Sequence, residues 1–420
     1  MRCIPFSLIF PGILGLFAAC NTTLTESRYK GYKKVIDVDN IKSVTRKQQS
    51  KTVDIKIPEA DSTTFNYTSY LKNVRYVKLE TTAASKVQAI NKVLLIKDRI
   101  ILVDYKVSKA VYIFDTAGHF INKIVSGKKY GKTNKYMQGF LEVAIDHNTN
   151  EIILHDQTAC KSFYFDVNGN FLNVSKEYVY FVNVANIKNT DQFVYINQFG
   201  GNPHVPALTN SSLYFGKKNT EIKYTAKDAL SNMKTGIDYQ ININPSFTNS
   251  NNRIFYTPEY SDTVYEITGN PLNIYPKLVM HYPGPDIYSK MRKDQKEDIA
   301  DFIRIKNKNQ YYSFEGEIFC NDDSVYHFTT SRKDIAGYFY SEETGNVIGG
   351  QPVLPRLKDS IEMEIYRYPV TSWNQYFVSL MFPDDFVNTR YLKTSKLMAV
   401  EKITKPTDNP ILMFYQLNKF

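Results

Sequence analysis

Three ionisable residues sit where short apolar runs end. Asp104 closes "LVD", and the pair His155 and Asp156 closes "ILHD". An imidazole beside carboxylates can shuttle a proton or donate to a metal, which makes this set the first candidate for chemistry. The alternative is that both aspartates cap strand ends and His155 is exposed. A second oxygen-rich stretch, Asn321, Asp322 and Asp323, could add to the six or more oxygens that calcium requires, or could simply be a turn between strands. His204 stands in the Gly/Pro-rich loop "GGNPHVP", at the rim of a site or merely solvated, while His327 alternates with aromatics in "VYHFTT" and reads as a strand residue. Tyr130, Tyr136, Phe140 and the lone Trp373 have Lys, Asn and Gln nearby. Such rings either stack on the apolar faces of sugars or pack between sheets. No H-E-x-x-H, G-x-S-x-G, phosphate-loop or dinucleotide fingerprint occurs, and no Cys/His cluster suggests zinc.

Sheets must position these groups. The stretch "VYIFDTAGHF" (Val111 to Phe120) returns as "SFYFDVNGNF" (Ser162 to Phe171). Asp115 and Asp166 lie 51 residues apart, and Asp104 and Asp156 lie 52 apart, so two landmarks agree on one period. In each phrase the aspartate opens a tight turn and the glycine closes it, which predicts an outer hairpin. Further copies follow at "SLYFGKKNTEI" (Ser211 to Ile222), "TVYEITGNPLNI" (Thr263 to Ile274, with Glu266 in the aspartate's place) and "GYFYSEETGNVIGG" (Gly337 to Gly350). The last spacing is stretched by an insertion, Asp286 to Lys308, with Ile299, Phe302 and Ile303 on one helical face; it would be a lid, a partner surface or an inert decoration.

Four short strands per unit of about fifty residues is the signature of a propeller blade. Five units are visible, and strand-like segments remain at both ends, "TVDIKIP" (Thr52 to Pro58) and "PILMFYQL" (Pro410 to Leu417). The expected fold is therefore all-β, a six-bladed β-propeller over residues 52–420, with one helical insertion near 286–308 and a closing blade shared by the two ends. Abundant tyrosine (32) and phenylalanine (26) suit strands that are buried between blades.

The formal charge is +10, but the lysines are dispersed along the 420 residues and no nucleic-acid motif accompanies them. A nucleic-acid partner is not expected; a mild attraction to anionic surfaces is. At the N-terminus, Arg2 precedes an apolar run from Ile4 to Ala19, too short to span a membrane comfortably. Ala18 and Ala19 before Cys20 resemble a bacterial lipobox, which implies a signal peptide over 1–19 and a lipidated Cys20. Residues 20–51 are polar and read as a tether, with room for one early strand. Glu26 is the one acid just after Cys20, too few for a surface-export signal, so the membrane face stays open. Cys160 and Cys320 would then sit in an oxidising envelope, either paired or, as expected here, as two separate buried thiols.

Cys20 after its apolar run, "YVKLE" followed by "INKVLLIKDRIILVD", "VYIFDTAGHFI" and the terminal "DNPILMFYQL" together resemble the six-bladed propeller lipoproteins of Bacteroidetes, which are NHL-like in style. The likeness spans nearly the whole mature chain. It departs in the loop "SGKKYGKTNKYMQGF" (Ser126 to Phe140), which keeps Gly127 and Gly131 but lacks the family's proline and acid. The family implies a lipid-anchored envelope protein and no agreed activity. Two functions follow as expectations: a module without a cofactor that binds a glycan, a peptide or another envelope protein, or a propeller-type lyase or hydrolase with calcium in the channel.

Overall fold

The computed structural model describes residues 27–44, 52–59, 64–132, 134–197, 201–209, 211–226, 246–250, 253–258, 261–286, 311–332, 334–352, 366–387 and 393–420. Cys20 and most of the expected helical insertion lie outside these residues. What is described is a ring of six antiparallel sheets, the expected six-bladed propeller. Blade 1 runs Lys92–Ile96, Arg99–Asp104, Ala110–Asp115 and Phe120–Val125 from the axis outward. Blade 2 repeats this with Glu142–Asp146, Glu151–Asp156, Lys161–Asp166 and Phe171–Lys176. The inner strands of blades 3, 4 and 5 are Asn183–Asn186, Ser246–Ser250 and Ser313–Cys320. Blade 6 begins at Pro369–Trp373.

Period-two alternation explains why the middle strands are buried along almost their whole length. In Arg99–Asp104, Ile100 and Leu102 pack toward blade 6, whereas Ile101 and Val103 pack toward blade 2. The apolar core is thus divided among six blade-to-blade interfaces. A fully buried Ile or Phe at such a place contributes about 1.5–3 kcal/mol.

The repeated phrase does what its turn chemistry predicts. Asp115 Oδ1 accepts from the amides of Ala117 (2.9 Å) and His119 (2.8 Å), and Asp166 Oδ1 accepts from those of Asn168 (2.8 Å) and Asn170 (2.9 Å). Gly118 and Gly169 occupy positive φ, 94° and 78°.

Ring closure differs in detail from expectation. Blade 6 is completed by Tyr376–Met381, Ile411–Leu417 and then Leu71–Lys78, so the terminal segment that partners Pro410 to Leu417 is not Thr52 to Pro58. Val53–Lys56 instead adds a fifth, parallel strand to blade 4, as Lys42–Ser43 does for blade 3 and Thr64–Phe65 for blade 5. An unpaired outer edge accepts a strand from any part of the chain that reaches it, which segment spacing alone does not reveal. Residues 27–44, read as tether, also lie on the ring: Tyr29, Tyr32 and Ile36 are buried, with Tyr32 and Ile36 between blades 2 and 3. Tyr32 opens a short 3-10 turn, Tyr32–Lys34, after Gly31 at φ 91°.

The ring has two faces. The link face carries the turns between second and third strands and the connections from blade to blade; the opposite face carries the remaining turns. This follows from the antiparallel order within each sheet.

Candidate functional site

The six inner strands enclose a central cavity of about 440 Å³. Its wall combines aliphatic residues, such as Val93, Leu95, Val143, Ile145, Val184 and Val370, with polar ones, and polar atoms make the larger part of its surface. Phe247, Phe319 and Trp373 add aromatic surface. Successive side chains of an inner strand pack toward one neighbouring blade and then the other, as Val93 does toward blade 6 and Ile96 toward blade 2.

Among the polar groups of this wall the charged ones are the most informative. Lys92, the first residue of its strand, reaches Glu142 Oε1 at 2.5 Å and donates to the Val143 carbonyl at 3.0 Å. Glu317 projects from the inner strand of blade 5 and, among the described residues, has no hydrogen bond or ion pair. Its side chain is solvent-accessible and lines the channel, where the surrounding protein raises its carboxyl above the usual glutamate value and Lys92 only partly opposes this. Where the inner strands of blades 1, 2, 3 and 6 end, on the opposite face, Lys97, His147, Lys188 and Asn374 frame a mouth. Burial and then the Lys188 charge lower the His147 pKa, against a smaller pull from Asp146.

Of the residues singled out from sequence, Trp373 alone lines this cavity. It also meets Phe414 edge-on at 6.1 Å, so it serves the wall and the blade packing together. Asp104 is fully buried as a turn cap, accepting from the amides of Val107 (2.8 Å) and Ser108 (2.9 Å) and from the Ser108 hydroxyl (2.6 Å). Burial would raise its pKa, but these bonds outweigh that and lower it. Asp156 does the same work in blade 2, accepting from Gln138 N at 2.6 Å and Ala159 N at 2.9 Å. His155 is buried rather than exposed. Its Nδ1 lies 2.7 Å from Glu177 Oε1 and 2.9 Å from Ser162 Oγ, inside the blade and away from the channel. These three residues therefore do not form a channel site; strand-end position says nothing of which edge of a blade a residue occupies.

The remaining candidates are structural too. His204 is buried, stacked on Tyr29 at 4.8 Å, with Nε2 2.8 Å from the Tyr178 carbonyl. Tyr130 donates to the Val125 carbonyl at 2.6 Å and packs on Phe165 and Phe171, while Phe140 is buried in the same interface. Tyr136 is exposed. Asn321 Oδ1 accepts from Val325 N at 3.0 Å, so the Asn321 to Asp323 stretch is a turn. Among the described residues, no three His, Cys, Asp or Glu side chains converge as a metal cage would. Cys160 and Cys320 are buried free thiols. Sequence reasoning missed Glu317 and Lys92; the available signal was a charge within or opening the first strand of a unit, in "EGEIFC" and "NKVLLI".

A domain described as of unknown function, DUF4934, matches residues 50–416. The chain belongs to the DUF4934 family. No curated protein matches it. Among solved structures, this DUF4934 protein is similar to a Bacteroides fragilis protein described as exported, at 16% identity and TM-score 0.67, over 88% of this chain and 100% of that one. A DUF4221 family member from Bacteroides vulgatus gives 9% identity and TM-score 0.45, over 83% and 97%. At such identities the first likeness speaks to fold alone.

Proposed function

We propose that this DUF4934 protein is an exported, lipid-anchored propeller of the cell envelope that binds a small ligand, a short glycan or peptide, in its central channel. The observation that carries this reading is the 440 Å³ cavity, whose mixed polar and apolar wall holds Trp373 and Glu317, a carboxyl without a hydrogen bond among the described residues. A cavity of that size suits a small molecule, and the polar groups of its wall can fix the orientation by hydrogen bonds. An indole and a carboxyl in one lining suit a sugar ring or a peptide side chain. The likeness to an exported Bacteroides protein and the lipobox-like residues before Cys20 support the envelope location. A channel hydrolase or lyase is not favoured, because Asp104, His155 and Asp156 serve turns and blade packing.

The test is thermal unfolding of the Asn21–Phe420 chain against envelope glycans and short peptides, with calcium or EDTA as further arms. A ligand that binds only the folded state raises the midpoint by mass action. The expected result is a rise with one glycan or peptide class that Trp373→Ala and Glu317→Gln abolish, and no response to metal or chelator. A rise with calcium that EDTA reverses would overturn the reading in favour of a metal-dependent site.

A further inference from the structure

Eight large apolar side chains stand exposed among the described residues, and seven of them lie on the link face. Val107 (58% exposed) is in the turn between the second and third strands of blade 1, and Tyr136 (47%) and Leu141 (61%) are in the connection to blade 2. Phe382, Met398 and Ile403 belong to the long connection between the second and third strands of blade 6, and Ile335 opens the third strand of blade 5. Leu172, on an outer strand, is the exception. A random scatter of surface apolar residues would need no explanation, but concentration on one face does.

The same face carries the densest positive charge near blades 1 and 2. A small hairpin, Lys128–Tyr130 paired with Lys135–Met137, is inserted in the link between these blades. Lys128, Lys129, Lys132 and Lys135 are exposed on it, and Lys106 and Lys109 are exposed in the adjoining turn. None is in an ion pair among the described residues. From Tyr105 to Leu141 the one acid is Asp115, in a turn on the opposite face. Two local runs of lysine, at 106–109 and 128–135, thus share one face, and their mutual repulsion is relieved when an anionic surface approaches.

The third observation is where the chain enters. Arg28 donates from Nε to Cys160 Sγ at 2.9 Å, and the base of the lysine hairpin donates from Gln138 N to Asp156 Oδ2 at 2.6 Å. Both contacts fall on the single turn Asp156 to Cys160 of the link face. Cys20 precedes Arg28 by eight residues, a reach of at most about 28 Å at ~3.5 Å per residue. A lipid on Cys20 would keep this turn of the link face within that distance of its bilayer.

We infer that the link face is a membrane-docking surface that lies on an anionic phospholipid bilayer, with the lysines of the 128–137 hairpin at the headgroups and Val107, Tyr136 and Leu141 entering the interface. Basic charge beside exposed apolar and aromatic side chains is the combination that interfacial binding uses. The inference rests on the anchored reading above only for the reach from Cys20.

The experiment is co-sedimentation of the unlipidated Asn21–Phe420 chain, which keeps every described residue, with phosphatidylcholine vesicles that contain or lack 30% phosphatidylglycerol. Binding to the anionic vesicles alone, lost in 0.5 M salt, is expected. Lys129→Glu with Lys135→Glu weakens it at least tenfold, and Val107→Ser with Leu141→Ser weakens it several-fold. Lys72→Glu with Lys217→Glu, on the opposite face, leaves it within twofold, and circular dichroism confirms that each variant is folded. No binding, equal binding to neutral vesicles, or an unaffected hairpin variant overturns the proposal. Because this protein carries no lipid, the outcome is independent of whether Cys20 is modified, which mass spectrometry of the exported chain decides separately.

Discussion

Arg253 grips Glu266 with two parallel bonds, Nε to Oε1 at 2.8 Å and Nη2 to Oε2 at 2.9 Å. The pair lies within blade 4, and its guanidinium lies over Phe255 of its own strand and over Tyr326 of blade 5, so the cation also reaches the neighbouring blade. Glu266→Ala leaves this cation without its partner in a largely enclosed place. A loss of about 3 kcal/mol is expected, read as a lower urea midpoint with unchanged slope. A loss below about 0.5 kcal/mol would mean that the pair behaves as a surface bridge.

His327 is buried among Phe319, Phe339, Tyr368 and Phe377, and among the described residues neither ring nitrogen has a hydrogen-bond partner. Burial lowers its pKa to about 3. The unfolded chain therefore binds the proton more readily, so this histidine's contribution to stability is complete above the ordinary value of 6.5 and is lost as pH falls toward 3. His327→Phe should raise the melting temperature at pH 7 and make it fall less between pH 6.5 and 4. Parallel melting curves for the two proteins across that range would show that the acid sensitivity has another source.

Glu317 has the opposite sign. Its pKa is raised by burial in the channel, so ionisation costs stability as pH rises above the ordinary glutamate value. Glu317→Gln should stabilise the protein at pH 7, with the gain vanishing below pH 4.5. Differential scanning calorimetry at pH 4 and 7 checks this, and an equal gain at both would sink the titration argument.

Gly118 is needed for two reasons at once. Its φ is 94°, and a Cβ there would stand 2.2 Å from the carbonyl oxygen of Lys78 in the closing strand. Gly345, with φ 75°, has nothing within 4 Å of the same position. Gly345→Ala should cost about 1 kcal/mol, the conformational part alone. Gly118→Ala should cost several times more and lower the cooperativity of unfolding, because it separates blade 1 from blade 6. Equal costs by chemical denaturation would show that the closing strand yields.

The blades were legible because their outer hairpins depend on local chemistry: the Asp and Gly of "FDTAG" and "FDVNG" make the same turn wherever they occur. The reading by period failed in blade 4. Glu266 stands in the aspartate's place by count, but it lies inside Thr263–Gly269 and binds Arg253 instead of capping a turn. The candidate site was less legible. Asp104, Asp156 and His155 look alike to a search for polar residues at strand ends, yet each satisfies neighbours within its own sheet. Glu317 was hidden for the converse reason: it shares its strand with Glu315, and which of the two lines the channel shows only when the other five inner strands are in place.

The four N-terminal strands find partners roughly 180 to 350 residues later in the chain, in blades 3, 4, 5 and 6 successively. None of these edges exists while the first residues are being synthesised. A protein laced in this order cannot lock until its last strand, Ile411–Leu417, has arrived beside Leu71–Lys78. Until then it remains threadable, and once the seam is made, both ends of the native strand order are held by one sheet.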